Sequence, residues 1–262
     1  MLIDLRDKVA IVTGAGRGIG YEIARTLAAE RAVVVVTDVR QDLLDAATAE
    51  WQGNGWRGAQ LLCDVRSATD NRAVVEAVLA EFGTIDILVN NAGVASGAPI
   101  ETLREEVWDL NMDINLKGMF LMCQAVVPTM KRQRSGRILN AASFAAIVPG
   151  VGGAAYAASK AGVVSMTRVL AGELGPWNVT VNAYAPGMIP TDMNGFAGRP
   201  AEEQARLLDT LTLRRWGSPA DVANLVCFLA SDLAGYITGA TIDISGGKLA
   251  TQMPSVAYRD IA

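Results

Sequence analysis

Short aliphatic runs alternate with amphipathic stretches of helical period along most of the chain. The runs at residues 9–12, 33–37, 60–63, 85–89, 137–140, 179–183 and 241–244 predict strands. Most are too apolar to leave one sheet face wet, so they read as strands of a parallel sheet covered on both sides. The stretches between them carry helix ends. Ser67 followed by Asp70 resembles a capping box, Gly83 closes the same helix after Phe82, and Ser218-Pro219 opens another. The repeated βαβ rhythm predicts an α/β architecture: a Rossmann-like doubly wound parallel sheet of about seven strands with helices on both faces. No linker, charge block or low-complexity tract divides residues 1–262, so a single domain is expected. One irregular stretch at 188–200, rich in Gly, Pro and Met, precedes a helical stretch at 202–211. Together they read as a flap over about residues 188–215, and a tail at 248–262 outruns the last strand.

Composition narrows the chemistry. Half of the 262 residues are hydrophobic (51%), enough for a sizeable core, and 19% are charged. A net charge of −4 gives no electrostatic footprint for nucleic acid. There is no histidine, and Cys63, Cys123 and Cys227 are isolated in apolar stretches. Zinc sites and histidine-based catalysis are therefore not expected, and no metal is. Buried free thiols fit a reducing compartment. The charged start, MLIDLRDK, enters a strand at once and lacks the form of a signal peptide. Apolar runs fall short of a membrane span of about 20 residues. A cytoplasmic, soluble protein with no membrane partner is the expectation.

The first strand runs into Thr13-Gly14-Ala15-Gly16-Arg17-Gly18-Ile19-Gly20 and then a helix. The spacing is TGxxxGxG, not GxGxxG. Its physics is the same: glycines let the backbone approach a pyrophosphate at the positive end of a helix. Asp38 ends the second strand, where a carboxylate accepts both ribose hydroxyls of adenosine and repels a 2′-phosphate. That favours NAD over NADP, although Arg17 and Arg40 lie close enough in sequence to pair with such a phosphate.

Tyr156 and Lys160 stand four residues apart, on one face of a helix. A nearby cation would lower the tyrosine pKa and make the phenol an acid/base near neutrality. Ser143 follows the strand at 137–140, and Asn90-Asn91-Ala92-Gly93 follows another, so both fall on the ligand-binding edge of such a sheet. Asn115 lies inside a helical stretch, where asparagine is intrinsically unfavourable.

These pieces resemble the short-chain dehydrogenase/reductase family, in its main single-domain branch. The resemblance runs from Lys8 to about Gly247 through TGAGRGIG at 13–20, Asp64-Val65, NNAG at 90–93, Asn115, Ser143, YAASK at 156–160 and PGMIPT at 186–191. It implies a role for each residue. Tyr156 would be the general acid/base, Ser143 would hold the substrate oxygen, and Lys160 would bind the nicotinamide ribose and depress the tyrosine pKa. Asn115 would hold a water linking Lys160 to solvent. Asp64 and Val65 would contact adenine, and Asn91, with Ala92 and Gly93, would border the adenosine ribose. Ile189 and Thr191, with Pro186 and Gly187, would hold the carboxamide, while Gly14, Arg17, Gly18, Ile19, Gly20 and Asp38 complete the dinucleotide site. Arg31 stands where the family usually has glycine, and Trp177 and Trp216 occupy loop positions more often held by other residues.

Substrate specificity would come from 94–99, 144–153 and the flap. Ser96, Phe144, Ala145, Val151, Met188, Met193 and Phe196 would join Ser143 and Tyr156 in the pocket, with Arg199 its only strong anion-binding candidate. This implies an NAD-dependent oxidoreductase interconverting a secondary alcohol and its ketone, with polyols and sugars as candidates. A 3-oxoacyl thioester reductase and a non-enzymatic NAD(H)-sensing protein are the alternatives. A homotetramer built on the Asn115 and Tyr156 helices, with the tail at an interface or a neighbouring pocket, is the expected assembly.

Overall fold

The computed structural model describes residues 3–191 and 195–258. Strands β1 (Val9–Thr13), β2 (Val33–Asp38), β3 (Gly58–Leu62), β4 (Ile87–Asn90), β5 (Gly136–Ala141), β6 (Val179–Pro186) and β7 (Thr241–Ile244) form one sheet. The order is β3-β2-β1-β4-β5-β6-β7, with every pairing parallel. Strand succession reverses between β1 and β4, so the sheet opens a crevice there at its carboxyl edge.

Helices cover both faces. Alternate residues of β1 divide between two cores: Ala10 and Val12 join α1 (Gly18–Ala29), α2 (Gln41–Asn54) and α8 (Pro219–Ala230) through Leu27, Leu44 and Val226. Val9 and Ile11 join α3 (Ala68–Phe82), α5 (Met119–Gln133) and α6 (Ala154–Leu174) through Val78, Val126 and Val163. A two-sided apolar strand is what such layering demands. The remaining helices are α4 (Glu105–Met112), which packs on α6, and α7 (Ala201–Leu208). Cys63, Cys123 and Cys227 are buried and unpaired, and burial pushes their thiols up to about 12, 12 and 11.

Helix ends follow the expected chemistry with one correction. Gly83 caps α3 at φ 76°, and Ser218 with Asp221 forms a full capping box ahead of Pro219. Ser67 accepts from the Asp70 amide, but the Asp70 carboxylate turns to the Asp64 amide (3.2 Å) and the Ser67 hydroxyl (2.8 Å). The reciprocal half of that box is thus spent on fixing the loop after β3.

Between α4 and α5 the helix widens into a π segment, Asp113–Gly118. Beneath the carboxyl edge, Asn90 donates to Asn140 (2.9 Å) and Asn140 to Thr167 (3.0 Å), tying β4, β5 and α6 together. All three are buried, and a satisfied polar chain of this kind fixes one arrangement of the elements it joins.

Candidate active site

The carboxyl edge holds a cleft of about 430 Å³, a volume ordinary for a small-molecule site. Every residue expected at the dinucleotide lines it, from Gly14 and Asp38 through Asp64, Val65 and Asn91–Gly93 to Thr191, together with Ser143, Tyr156 and Lys160. Residues separated by the whole chain meet because six strand ends deliver them.

The cradle is built from β1 into α1. Gly18 takes φ +61°, a conformation that strains any residue with a Cβ. Gly16 serves close approach instead: its amide donates to Asp38 Oδ2 at 3.0 Å, and a Cβ there would meet that oxygen at 2.9 Å. Helix α1 has no side-chain cap and no acidic residue in its first turn. Its amino end therefore suits an anion, and the residues fit a pyrophosphate. Asp38 Oδ1 also accepts from the Arg40 amide (3.1 Å), while the Arg40 guanidinium is committed to Asp42. Asp64 is clasped by Arg66 at 2.6 Å, which holds its carboxyl below the usual range.

Tyr156 and Lys160 share a face of α6, and the Lys160 ammonium lies 5.8 Å from the centre of the Tyr156 ring. Lys160 is buried, donates to the Ala141 carbonyl at 2.7 Å, and is pulled down to about 8 by desolvation. The phenol is raised, not lowered as the spacing predicted. Burial dominates, a hydrogen bond with Ser143 opposes it, and the cation sits over the ring rather than beside the oxygen. A phenol so placed is a proton donor at neutral pH.

Asn115 lies in a helical segment as expected, though in a widened turn. It is buried, and both its amide hydrogens are used, on Val94 O (3.0 Å) and Ser159 Oγ (2.9 Å). Its Oδ1 accepts from the Val94 amide at 2.8 Å. The side chain thus staples the loop after β4 to α6, with Ser159 passing the link to the Tyr156 carbonyl (2.7 Å). Ser159 was missed, although it lies within the YAASK motif.

On the substrate side the structure revises the expected lining. Met188 is buried within the chain and Val151 is fully exposed, and of the expected pocket only Ser143 and Tyr156 line the cleft, not Ser96, Phe144, Ala145, Val151, Met188 or Phe196. Ser96 is tied to the Asn111 amide at 3.0 Å. Phe196 stacks on Trp216 (5.6 Å, 8° between planes) with Arg199 over its ring. Arg199 also pairs with Glu203, so it is not a free anion binder. Ala145 donates to Ser143 Oγ (3.1 Å), and Met193 lies outside the described residues. Leu110 and Ile114, which do line the cleft, gave no local signal because they sit where α4 runs into the π segment. The described part of the tail folds back within the chain: Tyr258 donates to the Thr212 carbonyl at 2.6 Å.

Among the described residues no acidic, histidine or cysteine cluster could hold a metal. No helix there is long and apolar enough to cross a membrane.

Known proteins resemble this chain in sequence and fold. A family model described as Enoyl-(Acyl carrier protein) reductase matches residues 14–248. The 3-oxoacyl-acyl-carrier-protein reductase FabG of Thermotoga maritima is 41% identical over 243 residues, covering 93% of this chain and 98% of the relative. Human dehydrogenase/reductase SDR family member 4 is 41% identical over 244 residues, covering 93% and 88%. Among solved structures, a gluconate 5-dehydrogenase from Burkholderia cenocepacia, in complex with NADP and tartrate, superposes with TM-score 0.91 at 30% identity, covering 95% and 98%. The fold, the cleft and these relatives agree: the chain is an oxidoreductase of the short-chain dehydrogenase/reductase family.

Proposed function

We propose that this oxidoreductase interconverts a secondary alcohol and its ketone with NAD(H), using Tyr156 as general acid/base. The half-buried Tyr156 phenol, with Ser143 beside its hydroxyl and Lys160 over its ring, is the observation that carries the reading. When bound, the nicotinamide supplies or accepts the hydride at the carbon bearing the oxygen. Ser143 donates a hydrogen bond to the substrate oxygen and holds it against Tyr156. In reduction the Tyr156 hydroxyl gives its proton to that oxygen as negative charge develops there; in oxidation the phenolate takes it back. Lys160, held by Ala141 O, is placed to bind the ribose hydroxyls of the dinucleotide. Asn115 is a positioning residue that fixes the loop after β4 relative to α6.

Asp38 supports NAD: its carboxylate is aimed by the Gly16 and Arg40 amides, and Arg40's guanidinium is turned to Asp42. A second reading, reduction of a 3-oxoacyl thioester, is favoured by the FabG relatives. The single-domain chain is read as a cytoplasmic homotetramer. Exposed Trp108 and Phe120 near the π segment and Val169 on α6 support helix-to-helix association, since apolar side chains grouped on such faces mark contacts between subunits.

The test is NADH formation over secondary alcohols, polyols, sugars and 3-hydroxyacyl thioesters, with Tyr156→Phe as control. Turnover should fall by about a hundredfold or more in the variant. Undiminished turnover would remove Tyr156 from the chemistry, and oxidation confined to thioesters would select the second reading.

A further inference from the structure

Lys248 occupies an unusual position. It follows the turn at Ser245–Gly247, which is seated on the nicotinamide-side loop: Gly187 lies so close that a Cβ on it would meet Ser245 Cα at 2.5 Å. The Lys248 amide donates to Ser245 Oγ at 3.0 Å, fixing where the side chain departs. Its ammonium then reaches Thr210 Oγ1 at 2.6 Å, just past α7, and lies 5.8 Å from the centre of the Phe144 ring. Phe144 directly follows the Ser143 of the catalytic corner. One cation is thus held where the serine corner, the cofactor-side loop and the flap converge.

The partners of that cation are a hydroxyl and a ring face. Other cations of the region are neutralised: Arg199 by Glu203, Arg206 by Glu202, Arg214 by Asp209 and Arg215 by Asp221. Among the described residues no carboxylate pairs with Lys248. A half-buried ammonium without a counter-ion is costly to keep, and desolvation already pulls its pKa down. An anion arriving with the substrate would recover that cost.

We propose that Lys248 recognises an anionic group, a carboxylate or a phosphate, carried by the alcohol or ketone that reacts at Tyr156. This rests on the redox reading above and narrows its substrate class. The anion would lie on the Phe144 side of the reacting carbon, away from the dinucleotide.

Two substrate pairs separate the possible sources of charge. One is 3-hydroxybutanoate against its methyl ester; the other is 3-hydroxybutanoyl phosphopantetheine against the same thioester of pantetheine. Wild-type enzyme should favour the charged member of one pair by about tenfold or more in kcat/KM, as a charge-assisted contact implies. Lys248→Met should collapse that ratio, mainly through KM, and Lys248→Arg should keep most of it. The backbone bond to Ser245 survives either change, and melting temperature verifies folding. A ratio near one in both pairs, or a preference that outlasts Lys248→Met, overturns the proposal.

Calorimetric binding of the charged members to Tyr156→Phe, with and without Lys248→Met, gives a readout independent of turnover. Weaker binding in the double variant, with no substrate oxidised by wild type, would sink the redox reading and leave the anion site standing. Equal binding would sink the anion site whatever the turnover.

Discussion

Lys160 should cost the protein stability, and the cost should depend on pH in a defined direction. Burial lowers its pKa from 10.5 to about 8, a difference worth about 3 kcal/mol. Below pH 8 the lysine is charged in both folded and unfolded chains, and the folded state carries the full penalty. Between pH 8 and 10.5 the unfolded chain holds the proton and the folded chain does not, so wild-type stability rises with pH as the penalty fades. Lys160→Met removes the charge but strands the Ala141 carbonyl, losing a hydrogen bond worth about 1 kcal/mol. At pH 7 the variant should therefore be more stable by about 2 kcal/mol, seen as a melting point about 4–8 °C higher at this chain length. The advantage should shrink to under about 1 kcal/mol by pH 9.5 and vanish near about pH 10. Urea unfolding of the two proteins at matched concentration, at pH 7 and 9.5, measures this. A variant less stable at pH 7, or a gain equal at both values, would refute the reasoning. Activity should be lost at every pH, which makes Lys160 a residue kept against stability.

Two further outcomes follow from local geometry. Arg31 sits at φ 70°, in the left-handed region that favours glycine. The strain is about 1–2 kcal/mol and the entropic cost of glycine about 0.5–1, so Arg31→Gly should stabilise by about 0.5–1 kcal/mol in the same urea experiment; a destabilised variant contradicts this. Asp38→Asn should lower the ratio of NAD to NADP use by about tenfold or more, since it removes the charge that repels a 2′-phosphate. An unchanged ratio in paired kcat/KM measurements would deny Asp38 that role.

Much of this was legible in the sequence because it is written locally. Aliphatic runs marked all seven strands, the glycine and asparagine motifs sit at strand ends by topology alone, and YAASK falls in the first turns of α6. Boundaries failed where a side chain replaces the ladder. Ile85 reads as strand, yet its amide and carbonyl both bond to Gln133, at 3.2 and 2.9 Å, so β4 begins later. Strand β3 lies at the sheet edge, with Leu62 exposed, and its weaker apolar signal shifted both its ends. Lys248 was illegible because nothing in GGKLATQ says that Phe144, a hundred positions earlier, will lie under its ammonium. The Tyr156 pKa was misjudged because four-residue spacing gives the face of a helix but not how deeply that face is buried.

The π segment at Asp113–Gly118 sets a rotational phase. Each residue advances an α-helix by about 100°, and a widened turn takes up one residue without that advance. Side chains before it are aimed at α6, and those after it at α3 and the sheet. Forcing these residues into continuous α form at unchanged length would restore that advance and swing everything upstream by about 100° relative to everything downstream. Asn115 would then leave Val94 and Ser159 while Met122 and Val126 kept their seats. The irregular turn behaves as a gear tooth: it lets one rod mesh with two partners that are out of step.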